Sequence, residues 1–159
     1  MDNPLAKKLL IRSGSRLLVR NAPPGYLEKL QPLPDSVQLM TAVEGTFDVA
    51  LLFVHNKAEV DDLALESVLA ARRGGVVWMI YPKKSKNLQT DINRDTGWDV
   101  LWDAGWVGIA IVAIDDAWAA LRFRPAIDVK RSPDSTLRQQ TIRMVQTSQS
   151  KSIIHGLTQ

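Results

Sequence analysis

The sequence contains no cysteine, which excludes disulfide bonds and thiolate chemistry and is typical of a cytoplasmic protein. It also lacks any apolar run near the roughly 20 residues that a membrane-spanning helix needs, so we expect no association with a membrane. The first residues, MDNPLAKKLL, lack the apolar core of a signal peptide. Because the histidines His55 and His155 are far apart in the sequence, we expect no metal site.

Two motifs of well-known enzyme classes are also absent. The sequence has no P-loop motif, G-x-x-x-x-G-K-[ST], which would hold the phosphates of a nucleotide. It has no G-x-S-x-G motif, and no serine has a base linked to it by a motif. The motifs therefore assign no catalytic residue.

Positive charge is concentrated at the end of the chain. Residues 1–125 carry equal numbers of basic and acidic side chains, and the net charge of +3 comes from residues 126–159. Binding to nucleic acid requires basic residues clustered on the folded core, and only the lysines of segment 83–86 approach such a cluster. We therefore do not expect nucleic acid as a partner.

The length of 159 residues, with 45% hydrophobic and 23% charged residues, is typical of one soluble domain. We assign residues 1–125 to this domain. Residues 126–159 are basic and polar, with too few hydrophobic residues for a core, although 134–146 suits a marginal helix. This segment is predicted to be a flexible tail, or an arm that docks on a protein partner such as a second copy of the chain.

Short apolar segments alternate with helical patterns along the domain. The predicted strands are 16–20, 37–41, 47–54, 76–81, 107–114 and 118–124, and the predicted helices are 4–10, 26–30, 57–71 and 92–104. This alternation indicates a three-layer, Rossmann-like α/β sheet with helices on both faces and mostly parallel strands. Because only residues 115–117 separate the last two strands, they must form a C-terminal antiparallel hairpin.

Two of the predicted helices have recognisable ends. Arg72 and Arg73 suit the C-terminal end of helix 57–71, which Gly74-Gly75 should stop. Thr90 or Asp91 suits the N-cap of helix 92–104.

Three tryptophans at intervals of four residues, Trp98, Trp102 and Trp106, predict a stripe that packs on the sheet, with a ring stack for a ligand as the alternative.

Three loops are predicted to meet at the carboxyl ends of the parallel strands, where open α/β sheets bind ligands. They are the turn Asn21-Ala22-Pro23-Pro24-Gly25, the end of the third strand at His55, and the loop Pro82-Lys83-Lys84-Ser85. Ammonium groups and a hydroxyl beside a helix start suit a phosphate or carboxylate. The alternative is a solvated loop without a ligand.

Further polar residues lie near this crevice. His55 suits an acid/base group, or else a capping or surface residue. Asp91, Arg94 and Asp95 suit a network with Lys83 or Lys84, or else local helix capping and pairing. The predicted ligand-binding residues are Asn21, Pro23, Gly25, His55, Lys83, Lys84, Ser85, Asp91 and Arg94.

The chain also resembles known families. The parallel strands that close with an antiparallel hairpin resemble a shortened form of the S-adenosylmethionine-dependent (SAM-dependent) methyltransferase fold. The phrases LAKKL, LVRNAPPGY, LPDSVQ, FDVALLFV, GGVVWMIYPKKS, TDINRD and AIDDAWAALRF resemble a small bacterial domain family of unknown function, over roughly residues 4–124. This second resemblance implies a fold and no activity.

The sequence departs from the methyltransferase pattern at three places. That fold binds its cofactor through a glycine-rich first turn, whereas Asn21 to Gly25 contains two prolines, which lack backbone donors. The acidic residue expected after the second strand is replaced by Thr41 or Ala42, with Glu44 as a possible substitute. Phe53-Val54-His55-Asn56 stands where the resemblance implies an acidic or Asn-Pro-Pro-Tyr catalytic signal. We therefore expect no cofactor bound in the usual mode.

Two functional hypotheses follow. The first is a non-catalytic Rossmann-like module that binds a small anionic ligand or a protein partner at the crevice of Asn21, His55 and Lys83. The second is an atypical SAM-dependent methyltransferase that holds SAM in a different pose.

Overall fold

The computed structural model describes residues 3–84 and 90–129. The helices are α1 (Pro4–Lys8), α2 (Tyr26–Lys29), α3 (Lys57–Leu69) and α4 (Asp99–Asp103). The strands are β1 (Arg16–Arg20), β2 (Gln38–Met40), β3 (Phe47–Phe53), β4 (Ala71–Pro82), β5 (Trp106–Ala113) and β6 (Trp118–Pro125), and a 3-10 turn (Ala126–Asp128) follows. The marginal helix predicted at 134–146 lies outside the described residues, as does most of the predicted tail.

One sheet of six strands has the order β2-β1-β3-β4-β6-β5. β2, β1, β3 and β4 are parallel to their neighbours, whereas β6 is antiparallel to both β4 and β5. The parallel sheet and its closing hairpin, predicted from the sequence, are therefore confirmed.

The two faces of the sheet carry separate hydrophobic cores. Alternate residues of β4 point to opposite faces, since Val77 and Met79 pack with α3 and α4, whereas Trp78 and Ile80 pack with α1 and α2. β3 is buried at nearly every position, which explains its almost continuous apolar sequence. The arrangement has three layers, as predicted.

The predicted end of helix α3 was wrong. The helix ends at Leu69, and Arg72 and Arg73 belong to β4. Pairing with β3 competes successfully with helix extension, because Phe47 N donates to Ala70 O at 2.8 Å and the Arg72 guanidinium binds Asp48. The two glycines therefore lie within β4, beside a register shift between β3 and β4.

Asp48 ties β1 to β4 across β3. Its carboxylate accepts hydrogen bonds from Arg16 N at 2.8 Å and Arg72 Nε at 2.5 Å. The backbone hydrogen bond from Arg16 is the main cause that lowers the pKa of Asp48 below its ordinary value of 3.8, and Arg72 lowers it further.

This lowered pKa predicts a pH-dependent contribution to stability. A carboxyl group with a lower pKa in the folded state stabilises the protein above its unfolded-state pKa and loses that effect as pH falls through the folded-state pKa. The difference in unfolding free energy between wild type and Asp48→Asn should therefore be constant near neutral pH and shrink below about pH 4. Urea unfolding between pH 7 and acid pH measures it, and a pH-independent difference would refute the assignment.

The long helix predicted over 92–104 was also wrong. Only α4 is helical, and the preceding residues form a tight turn in which Asn93 and Thr96 bond each other. Asn93 Oδ1 accepts from Asp95 N at 2.8 Å, and Trp98 Nε1 donates to Asn93 O at 2.7 Å. These bonds give the backbone an alternative to the helix. Trp98 and Trp102 are buried against the sheet, which confirms the packing interpretation, whereas Trp106 begins β5.

Gly97 is required by this turn. Its φ is +101°, and a Cβ built on it would lie 2.3 Å from Ile92 Cγ2. Gly97→Ala combines left-handed backbone strain with overpacking, so we expect a loss of about 2 to 4 kcal/mol in unfolding free energy. Gly105→Ala is the control, since Gly105 has φ +86° but no heavy atom within 4 Å of an added Cβ. Equal losses for both variants in urea unfolding would contradict the steric argument.

Candidate functional site at the carboxyl ends of the strands

Asn21, His55 and Lys83 follow the parallel neighbours β1, β3 and β4, so all three lie at the same edge of the sheet. Asn21 Nδ2 donates to Phe53 O at 2.8 Å, which joins the first two loops. Lys83 N donates to Ala117 O at 2.8 Å, which places the third loop beside the β5–β6 turn. We call this edge, formed by residues 21–26, 54–59, 82–84 and 115–118, the carboxyl rim.

Glu59 is the centre of a polar network on the rim. Its Oε1 atom accepts from Asn21 Nδ2 at 3.0 Å and from His55 N at 2.8 Å, and lies 2.9 Å from His55 Nδ1. Desolvation raises the pKa of Glu59, but hydrogen bonds from His55 and Asn21 outweigh it and leave the pKa below its ordinary value. An ionised Glu59 can only accept, so Nδ1 of His55 donates to it, and in the neutral tautomer that this bond selects Nε2 is the acceptor.

Aromatic rings pack against the imidazole of His55. The centroid of its ring lies 5.2 Å from that of Trp118 in a T-shaped contact, and Trp118 contacts Tyr26 at 6.0 Å. Trp118 is only 8% exposed, so its buried ring packs against the half-exposed imidazole. The rings thus limit the orientations that His55 can adopt.

The β5–β6 turn joins the rim through Asp115. Its Oδ2 atom accepts a hydrogen bond from Tyr26 OH and lies 3.4 Å from Lys29 Nζ. Burial, followed by the hydrogen bond and charge of Asp115, raises the pKa of Tyr26 well above its ordinary value. Tyr26 is therefore a neutral donor that links the first loop to the last hairpin.

The turn after β1 holds the predicted residues Pro23 and Gly25. Tyr26 N donates to Pro23 O at 3.2 Å, and Gly25 has φ +90°. A Cβ on Gly25 would meet nothing within 4 Å, so no neighbouring group needs the space. α2 starts here and has only four residues.

The remaining predicted residues divide into two groups. Lys83 is half-buried and Lys84 exposed at the rim, and Ser85 lies outside the described residues. Asp91 does not cap a helix of its own: its Oδ1 accepts from Lys57 N at 2.7 Å and so caps α3. Arg94 pairs with Asp95 at 3.1 Å, and within the described chain neither forms a hydrogen bond or an ion pair with Lys83 or Lys84, so Arg94 and Asp95 follow the alternative of local pairing.

Sequence reasoning missed Glu59, Tyr26, Trp118 and Asp115 as members of the rim. Glu59 had a usable signal, because it lies four residues after His55 in the first turn of a helix. Tyr26 lies 89 residues before Asp115, and sequence patterns do not show this contact. Tyr26 and Trp118 are buried aromatics, which sequence patterns assign to the core.

The residues do not fit SAM in the usual mode of the methyltransferase fold. The first turn has two prolines in place of glycines. Glu44 cannot replace the acidic residue after β2, because Arg16 Nη2 donates to Glu44 O at 2.7 Å and Arg16 begins β1. Glu44 therefore lies at the opposite edge of the sheet, so it is not the substitute that the sequence left possible. Thr41 and Ala42, which follow β2, are exposed and carry no charge.

Within residues 3–84 and 90–129, no group of three or more His, Asp or Glu side chains is placed to hold a metal ion. In the same part of the chain, no helix is long and apolar enough to cross a membrane.

No protein-family model matches the chain, and no curated protein matches it. Solved structures do match: a DhpI–SAH complex has a TM-score of 0.51 and 16% identity, covering 77% of this chain and 83% of that one. TrmN from Thermus thermophilus has a TM-score of 0.50 and 13% identity, covering 76% of this chain but 47% of TrmN, so this chain spans about half its length. Fibrillarin from Aeropyrum pernix, solved with S-adenosyl-L-methionine, has a TM-score of 0.49 and 12% identity, covering 72% and 68%.

These similarities define the class of fold. The chain has a shortened, Rossmann-like methyltransferase fold with a C-terminal antiparallel hairpin. At such low identity the likeness establishes the fold alone. The narrower resemblance to a bacterial domain family of unknown function receives no support, because no family model matches.

Proposed function

We propose that the chain is an atypical SAM-dependent methyltransferase whose site is the carboxyl rim. The observation that carries this proposal is the pair of His55 and Glu59, which stands where the resemblance implies a catalytic signal. The methyltransferase-like fold supports the choice of reaction, and the DhpI complex with SAH and the fibrillarin complex with S-adenosyl-L-methionine supply the ligand class.

The chemistry assigned to this chain is proton acceptance. An acceptor with an O–H or N–H group loses a proton when that atom is methylated. His55 Nε2 takes this proton, while Glu59 holds Nδ1 at 2.9 Å and stabilises the imidazolium that forms. The aromatic wall of Trp118 keeps the ring in place.

The ligand is expected on the β3–β4 side of the rim. The proline-containing first turn and the missing carboxylate after β2 remove the contacts of the usual mode. Lys83 and Lys84 supply ammonium groups that suit the carboxylate of SAM. Binding should therefore depend on these lysines more than on the first turn.

Isothermal titration with SAM and with its demethylated product SAH tests the proposal. We expect heat from both ligands and at least tenfold weaker binding for the Lys83→Ala/Lys84→Ala variant. Lys7→Ala/Lys8→Ala is the matched control, because both lysines are exposed on α1 and the loss of charge is the same. No heat at millimolar ligand would remove the methyltransferase proposal.

A second candidate is the non-catalytic module that binds a small anionic ligand or a protein partner at the same rim. The observation that favours it is the turn Asn21 to Gly25, whose prolines remove donors that the fold uses for its cofactor. Thermal-shift screening of nucleotides and phosphorylated metabolites tests it. A shift that disappears in Lys83→Ala/Lys84→Ala, together with no heat from SAM or SAH, would select this candidate. If no ligand causes a shift, this candidate would have to bind a protein partner. A pull-down should then recover a partner with the wild type and not with Lys83→Ala/Lys84→Ala.

A further inference from the structure

A second cleft lies at the edge of the sheet opposite the carboxyl rim. It has a volume of about 510 Å³ and opens between the loop before β1 and the first halves of β3 and β4. This volume falls within the roughly 300 to 1,000 Å³ that is usual for small-molecule sites. Its polar lining residues are Arg12, Ser13, Ser15, Asp48, Arg72 and Arg122. We call it the amino-edge cleft.

Arg122 is the unusual member of this lining. It lies on β6 between two strands, opposite Trp78 of β4 and Ala110 of β5. Its Nε is buried and has no hydrogen-bond partner among the described residues. Burial, and next the charge of Arg124, lowers the pKa of Arg122, but a guanidinium remains charged at neutral pH. A buried donor without a partner is rare in folded proteins and needs an explanation.

The charge of the cleft favours an anion. Three guanidinium groups line it against the single carboxylate of Asp48. That carboxylate is already engaged by Arg16 N and by Arg72 Nε, so Asp48 does not neutralise Arg12 or Arg122. Ser15 Oγ accepts from Arg12 N at 3.3 Å, which fixes the loop that carries Arg12.

We propose that the amino-edge cleft binds a small phosphate-bearing anion through the guanidinium groups of Arg12 and Arg122. Guanidinium groups bind phosphate oxygens in a bidentate manner, and arginines on separate elements can contact different oxygens of one tetrahedral group. Ser13 also lines the cleft and adds a hydroxyl donor. The site is at the other end of the sheet from His55, so it does not depend on the function proposed for the rim.

Isothermal titration with inorganic pyrophosphate tests this site in the full chain. We expect binding to wild type and at least tenfold weaker binding to Arg122→Gln and to Arg12→Gln. Arg73→Gln is the matched control, because Arg73 is exposed on β4 near the cleft without lining it, and its binding should stay within twofold of wild type. Arg12 is exposed, so Arg12→Gln decides the outcome if Arg122→Gln does not fold.

Three results would overturn the assignment. They are an absence of heat at millimolar pyrophosphate, an equal loss of affinity in Arg73→Gln, and equal affinity for citrate, which would remove the preference for phosphate. Nucleoside monophosphate and inorganic phosphate, titrated separately, identify whether an esterified or a free phosphate is preferred. Tighter binding of a single-stranded oligonucleotide than of either would replace the small ligand with a nucleic acid. The affinity for SAH should be the same in Arg122→Gln as in wild type, because the amino-edge cleft is separate from the carboxyl rim.

Discussion

Replacing His55 by glutamine is expected to lower the rate of methyl transfer about 100- to 10,000-fold, the range typical of losing a general base. Glutamine keeps a polar side chain beside Glu59 but has no nitrogen that can take up a proton near neutral pH. The affinity for SAH should change little, because the proposed binding contacts come from Lys83 and Lys84. The rate therefore falls through the chemical step and not through ligand binding.

Conversion of SAM into SAH, followed by mass spectrometry with a panel of phenol, carboxylate and amine acceptors, measures this effect. Glu59→Gln should lower the rate less than His55→Gln, because the base remains but loses its orienting carboxylate. Asp62→Asn is the charge-matched control, since Asp62 is exposed on the same helix. If His55→Gln retains the wild-type rate, His55 is not the base.

The largest expected loss of stability is that of Trp98→Ala, about 3 to 5 kcal/mol in unfolding free energy. The Trp98 side chain is 0% exposed, and its ring centroid lies 5.7 Å from Tyr81 and 5.4 Å from Phe123. The substitution removes this packing and leaves a cavity between α4 and the sheet. It also removes the Nε1 donor to Asn93 O at 2.7 Å, which closes the turn before α4.

Two further variants make this prediction specific. Trp98→Phe keeps an aromatic ring but loses the hydrogen bond, so we expect a smaller loss of about 1 to 2 kcal/mol. Leu69→Ala is the surface control, because Leu69 is 68% exposed, and should change stability by less than about 0.5 kcal/mol. Urea unfolding of all three gives the comparison. A loss for Trp98→Ala no larger than for Leu69→Ala would show that this core is not what holds α4 on the sheet.

The sheet was predictable because its strands are short apolar segments with clear turns between them. β1 was predicted with its observed bounds, 16–20, and β3 ended one residue earlier than predicted. The hairpin followed from the three-residue connection 115–117, which cannot form a parallel crossover. These features depend on local sequence and on general rules of strand connection.

The failures have a common physical cause, which is tertiary contact that overrides local preference. Residues 92–98 have the cap and the apolar spacing of a helix, but the backbone follows the bond from Trp98 to Asn93 instead. Asp91 has the signal of an N-cap, and it does cap a helix, but that helix is α3, 34 residues earlier in the chain. Arg72 was assigned to a helix end because a basic residue suits that position. Its actual partner, Asp48, lies on another strand, and the local sequence does not show that contact.

The candidate site was predictable in position and less so in composition. The rule that parallel strands share a carboxyl edge placed Asn21, His55 and Lys83 together. The residue that links the first two is Glu59, and one of its oxygens accepts from both side chains, a contact that only the folded structure brings about. The arginine-lined cleft at the opposite edge was not predicted, because its residues come from four separated segments of the chain.

Titration of SAH into ¹⁵N-labelled protein, followed by NMR, shows both whether SAH binds and where it binds. We expect saturable shifts at the backbone amides of the carboxyl rim, centred on His55 and Lys83, with the amides around Arg12 and Arg72 unaffected. No shifts at millimolar SAH, or shifts confined to the opposite edge of the sheet, would rule out a SAM site at the carboxyl rim.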